Sequence, residues 1–79
     1  MDLLTIPLET SSPTPLYRQL YGYLREEILT GRLTSGDRLP SKRQLASQLG
    51  ISQNTVMAAY EQLVEEGYLL VWPQCGYYV

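Results

Sequence analysis

Leu45-Ala46-Ser47-Gln48-Leu49-Gly50-Ile51-Ser52-Gln53-Asn54-Thr55-Val56-Met57-Ala58-Ala59 decides the fold. Leu45, Ala46 and Leu49 share one side of a helix that Gly50 ends, because glycine takes the left-handed conformation of a tight corner at no steric cost. Ser52 caps the next helix, with Ile51 before the cap and Val56 four residues beyond it placed as a hydrophobic staple. Ala46 is small enough to let that helix approach, and Leu45, Leu49, Ile51, Val56 and Ala59 fill the wedge between the two. Seven positions at fixed offsets thus spell a helix-turn-helix. A generic helical hairpin meeting at a glycine corner is the other reading.

Upstream, Ser41-Lys42-Arg43-Gln44 has the form of a capping box and starts the second helix. Tyr17, Leu20, Tyr21, Leu24 and Ile28 recur at three- and four-residue steps and predict a first helix from Leu16 to Thr30, with Pro15 at its start and Gly31 at its end. Residues 1–14, rich in Thr, Ser and Pro, read as an extended leader that at most packs Leu4, Ile6 or Leu8 on the domain. Between the first two helices a Ser35-Gly36-Asp37 turn leads to Arg38-Leu39, a candidate two-residue strand.

Downstream, the third helix runs to about Glu66, where Gly67 stops it. Tyr68 to Trp72 and Tyr77 to Val79 then predict a hairpin about Pro73-Gln74-Cys75-Gly76. The expectation is one domain over 15–79, mainly α with a small β-wing: a winged helix-turn-helix of three helices and a two- or three-stranded antiparallel hairpin.

Composition narrows the function. The chain has 79 residues, no histidine and a single cysteine, Cys75, which excludes an intrachain disulfide, a Cys/His zinc site and a Ser-His or Cys-His pair. A core this small gives little support to a substrate cleft, so an enzyme is the weakest class. The longest apolar run, Tyr68-Leu69-Leu70-Val71-Trp72, is far below the roughly 20 residues of a membrane span, and with Asp2, no early Lys or Arg, and Pro7 interrupting Leu3 to Leu8, no secretory signal is expected. A reducing, cytoplasmic setting is expected.

The net charge of −2 argues against binding a polyanion, but its distribution does not. All six basic residues lie between positions 18 and 43, whereas Glu61, Glu65 and Glu66 close the third helix. On that helix Val56, Tyr60, Leu63 and Val64 face the core, so Asn54, Ala58, Glu61 and Glu65 face outward, flanked by Thr55 and Met57. The first half of this outer face is uncharged and hydrogen-bonding, as a reader of base edges must be. Asn54 suits bidentate pairing with adenine, and Gln53 can make similar contacts; both are also ordinary first-turn residues.

Leu39-Pro40-Ser41-Lys42-Arg43-Gln44-Leu45-Ala46, Ser52-Gln53-Asn54-Thr55-Val56, Ala59-Tyr60-Glu61-Gln62-Leu63 and Glu66-Gly67-Tyr68 together resemble the winged helix-turn-helix of GntR-type bacterial transcription regulators, over residues 15–79. Pro15-Leu16-Tyr17-Arg18-Gln19-Leu20, with Asn54-Thr55-Val56 and Ala59-Tyr60, is most similar to the MocR branch, and next to the YtrA-like one. The resemblance implies an operator-binding head. Ser41, Lys42 and Arg43 would hold the backbone, Arg43 meeting a phosphate or a guanine. Ser52, Gln53, Asn54, Thr55 and Met57 would enter the major groove, and Gly76 would approach the minor groove. It also implies a homodimer of the full regulator and pyridoxal phosphate held by a further C-terminal domain of the aminotransferase fold, with no cofactor in this chain. The isolated head is expected to be monomeric or weakly dimeric, because its apolar positions are largely used by one small core and no heptad seam is present. The sequence departs from the family at Gln53 and Met57, where arginine is frequent, and at Gln74, which replaces the first wing glycine. A winged-helix module for protein partners is the alternative that the acidic charge and arginine-poor third helix favour.

Overall fold

The computed structural model describes residues 6–79; Leu4 lies outside the described residues. Three helices, α1 (Leu16–Leu29), α2 (Lys42–Leu49) and α3 (Gln53–Glu65), precede an antiparallel hairpin of β1 (Leu70–Trp72) and β2 (Gly76–Tyr78). Arg38 bridges Tyr78 on the far side of β2. The expected two-residue strand is thus reduced to a bridge at Arg38 alone, and the sheet itself is two-stranded.

Each helix ends where its glycine says. After α3, the Gly67 amide donates to the Val64 carbonyl and the Tyr68 amide to Leu63, the paired bonds of a Schellman motif, with Gly67 at φ 86°. This corrects the start of the wing. Tyr68 and Leu69 were expected in the first strand, but both amides are committed to the Leu63 carbonyl at 2.9 and 3.2 Å, so pairing begins only at Leu70. The second strand is likewise Gly76–Tyr78, not 77–79, although the Val79 amide still bonds the Asp37 carbonyl at 2.8 Å.

The core is one cluster. Leu20 and Leu24 of α1, Leu45 and Ala46 of α2, and Val56, Ala59, Tyr60 and Leu63 of α3 meet Leu33, Leu39 and Leu69 from the connections. From the leader, Ile6 is buried and Leu8 packs against this cluster. The Gln19 side chain secures that segment, accepting from the Glu9 amide at 2.9 Å and donating to the Glu9 and Thr14 carbonyls.

Two positions on α1 depart from the expected stripe. Tyr17 is 36% exposed, because the buried line runs through Leu20, Leu24 and Glu27 and leaves the first turn outside it. Glu27 takes a buried place, its carboxylate 3.5 Å from Arg32.

Where α1 meets the end of α3, the Tyr21 hydroxyl and Gln62 Nε2 both donate to the Glu66 carboxylate. These bonds, the Tyr21 one foremost, hold Glu66 below its ordinary 4.5. A carboxyl depressed in the folded state stabilises it above its unfolded pKa, and that contribution is lost as pH falls through the folded value. Tyr21→Phe should therefore move Glu66 back toward 4.5 and flatten the acid limb of the stability curve; carbon-detected NMR titration of Glu66 in both proteins measures the shift.

Candidate nucleic-acid interface

Tyr60 assembles the site. It is fully buried. Its hydroxyl donates to the Pro40 carbonyl at 2.8 Å, so a polar group in the core is satisfied by the segment that leads into α2. Burial pushes this phenol far above its ordinary pKa, so it remains a donor. Its ring packs against Tyr77 of β2, centroids 4.7 Å apart and tilted by 56°. One side chain of α3 therefore fixes both the entry to α2 and the wing.

The α2 end is built by local chemistry. Ser41 Oγ accepts from the Gln44 amide at 3.1 Å while Gln44 Oε1 accepts from the Ser41 amide at 3.0 Å, the reciprocal capping box that the sequence spells. Lys42 is half-buried and Arg43 exposed. Among the described residues the one ion pair is Arg32 with Glu27, so neither cation is neutralised by a carboxylate.

Gly50, in the left-handed conformation at φ 67°, turns the chain from α2 into α3, and the Ile51 amide returns to the Ala46 carbonyl at 3.0 Å. Ser52 Oγ accepts from the Thr55 amide at 3.1 Å and lies 2.8 Å from Thr55 Oγ1. Both hydroxyls of this pair are engaged at home, whereas the exposed amides of Gln53 and Asn54 hold no intramolecular bond among the described residues. Met57 and Ala58 are half-buried, and Glu61 and Glu65 lie exposed farther along the same helix. The graded outer face of the sequence reading is present: neutral hydrogen-bonding groups first, carboxylates two turns on.

The wing turn runs Trp72-Pro73-Gln74-Cys75, closed by the Cys75 amide on the Trp72 carbonyl at 3.0 Å. Proline at the second position and a positive φ at the third belong to a turn that favours glycine there. Gln74 takes φ 64° without being glycine. Gln74→Gly should therefore stabilise the domain by up to about 1 kcal/mol, the relief of backbone strain exceeding the added freedom of the unfolded chain. A urea denaturation midpoint measures it.

Gly76 is half-buried at φ 123°, and a Cβ there would meet Arg38 Nε at 3.3 Å. Its backbone conformation thus favours glycine, and a side chain there would press on the Arg38 guanidinium. Arg38 was not singled out as a site residue from the sequence. The signal was there: in the pair Arg38-Leu39 strand alternation sends one side chain into the core and the other out.

Three helices with a tight α2–α3 corner and a hairpin tied to both define a winged helix-turn-helix domain. Residues 16–79 match the description of the bacterial regulatory proteins of the gntR family, and the chain belongs to that family. Among curated relatives, it is 48% identical over 62 residues to the probable rhizopine catabolism regulatory protein MocR of Rhizobium meliloti, covering 78% of this chain and 13% of that protein. Its fold superposes on YtrA from Sulfolobus acidocaldarius, a GntR-family transcription factor, with a TM-score of 0.87 and 43% identity over 94% of this chain and 78% of that one. It also superposes on the AraR DNA-binding domain solved with operator ORE1, with a TM-score of 0.79 and 27% identity, covering 92% and 89%. The chain spans about one seventh of the length of the first curated relatives it matches. No helix among the described residues is long and apolar enough to cross a membrane.

Proposed function

We propose that this domain is the operator-binding head of a cytoplasmic transcription regulator. The observation that carries the reading is the pairing Tyr60 enforces: Lys42 and Arg43 at the start of α2, without a carboxylate partner among the described residues, beside the exposed amides of Gln53 and Asn54 at the start of α3. In the proposed geometry α3 enters the major groove, where Gln53 and Asn54 read base edges with Thr55 and Met57 beside them. Ser41, Lys42 and Arg43 hold the phosphate backbone and set the register. The wing lies over the adjacent minor groove, with Gly76 at its approach. The operator complex of AraR, a similar fold, supports this docking.

The opening Pro15-Leu16-Tyr17-Arg18-Gln19-Leu20 and the likeness to MocR favour that branch. The full regulator would then pair two heads and carry pyridoxal phosphate on a further domain, leaving the head itself monomeric or weakly dimeric and without a cofactor. Exposed Leu70, Val71 and Trp72 favour a second reading, a wing that docks on protein. Selection of duplexes from a random pool separates the two. Enrichment of one motif, with its half-sites a helical turn or more apart, is the expected result; no enrichment at low salt would contradict the first reading.

A further inference from the structure

The wing proper carries no charge: residues 67–79 contain no Asp, Glu, Lys or Arg. The cation on the sheet is Arg38, through its bridge to Tyr78. Directly opposed residues of a sheet share a face, and the register pairs Leu70 with Tyr78, Trp72 with Gly76, and Arg38 with Tyr78. One face therefore bears Arg38, Tyr78, Leu70, Trp72 and the bare backbone of Gly76. The other bears buried Leu39, half-buried Tyr77, which packs on Tyr60, and, paired with Tyr77, exposed Val71.

Arg38 is held on that outer face. Its guanidinium lies 6.0 Å from the Tyr78 ring centroid and crosses the backbone where Gly76 leaves a slot, Nη2 standing 3.5 Å from the place of a Cβ. Trp72, opposite Gly76, is 58% exposed on the far side of the slot. Asp37 is engaged elsewhere, accepting from the Thr34 amide at 2.9 Å and from its hydroxyl at 3.3 Å. Arg38 has no carboxylate partner among the described residues.

The same segment continues through Leu39, whose amide bonds the Tyr77 carbonyl at 2.9 Å, and Pro40, fixed by Tyr60, into Lys42 and Arg43. One rigid stretch thus links the wing cation to those at the start of α2. Resting on the reading above, we propose that Arg38 is the wing's phosphate-binding residue, and that Trp72 packs against the sugar edge of the same strand across the Gly76 slot. A guanidinium already braced by a ring loses less side-chain freedom on meeting a phosphate. A wing otherwise without charge gains its attraction to DNA from this residue.

The test uses the domain and a duplex recovered by selection, with affinity followed from about 50 to 200 mM salt. Arg38→Gln should weaken binding about tenfold at the low end, equally for selected and random duplexes, and reduce the magnitude of the log–log slope by about one unit. Arg38→Lys, which keeps the charge, should retain the slope. Trp72 is the chain's sole tryptophan, so its emission should change on saturation with duplex. An unchanged slope in Arg38→Gln overturns the assignment of Arg38. Unmoved Trp72 emission overturns its packing on the sugar, as a wing that docks on protein would produce. Loss of slope in both variants together with a lowered melting temperature makes Arg38 a structural residue and overturns the proposal too. If the unaltered domain binds no duplex, it is the proposed function that fails.

Discussion

Leu63→Ala should remove about 2 to 5 kcal/mol of stability, a large part of what a domain this size possesses. At about 0.05 to 0.15 kcal/mol per residue, 79 residues give roughly 4 to 12 kcal/mol. Leu63 is fully buried, and its carbonyl receives the Tyr68 and Leu69 amides, so it lies where α3 ends and the chain turns to the wing. The cavity left by truncation would open in the middle of the single core cluster, with no second core to hold the remainder. Thermal melting followed by circular dichroism should show a midpoint lowered by more than about 10 °C. A shift of only a degree or two would mean that this end of α3 contributes little to the core.

The second large effect separates two side chains by kind. Arg43→Ala, at the start of α2, should weaken operator binding by about 1 to 3 kcal/mol and, if its contact is to phosphate, reduce the salt slope by about one unit. Asn54→Ala should leave the slope nearly unchanged, since a neutral amide releases no counterion, while relaxing preference at one base pair by a similar energy. Both residues are exposed and neither belongs to the core cluster, so both variants should keep their melting temperatures. Titration of each variant against the selected duplex and its single-base derivatives checks this. If both fold normally and bind as the parent does, the docking geometry is wrong.

What could be read in advance is what local chemistry determines. The Ser41 capping box, the Ser52 cap, the Gly50 corner and the glycine stop at Gly67 each follow from a few adjacent residues, and the structure contains all four. Contacts between distant segments were not legible. Nothing near Tyr60 in sequence indicates that its hydroxyl bonds Pro40, twenty residues away, or that its ring meets Tyr77. The same holds for Arg38 filling the slot over Gly76 and for Gln19 gathering the leader. The late start of β1 has a simpler origin. Tyr68 and Leu69 have the composition of a strand, but their amides complete the end of α3 before the sheet can use them.

Site residues divide along the same line. Ser41, Ser52 and Thr55 combine a proposed interface position with a capping role, so their loss acts on helix starts as well as on any contact. Among the described residues, Gln53, Asn54 and Arg43 show no such second task in the fold. For that reason they report binding more cleanly.

The most direct test of the central claim is the salt dependence of affinity for the selected duplex. With about four phosphates neutralised, log affinity should fall against log salt at a slope between about −3 and −4, close to a hundredfold from about 50 to 200 mM. A flat response, or no retardation of any duplex at the low end, would contradict it.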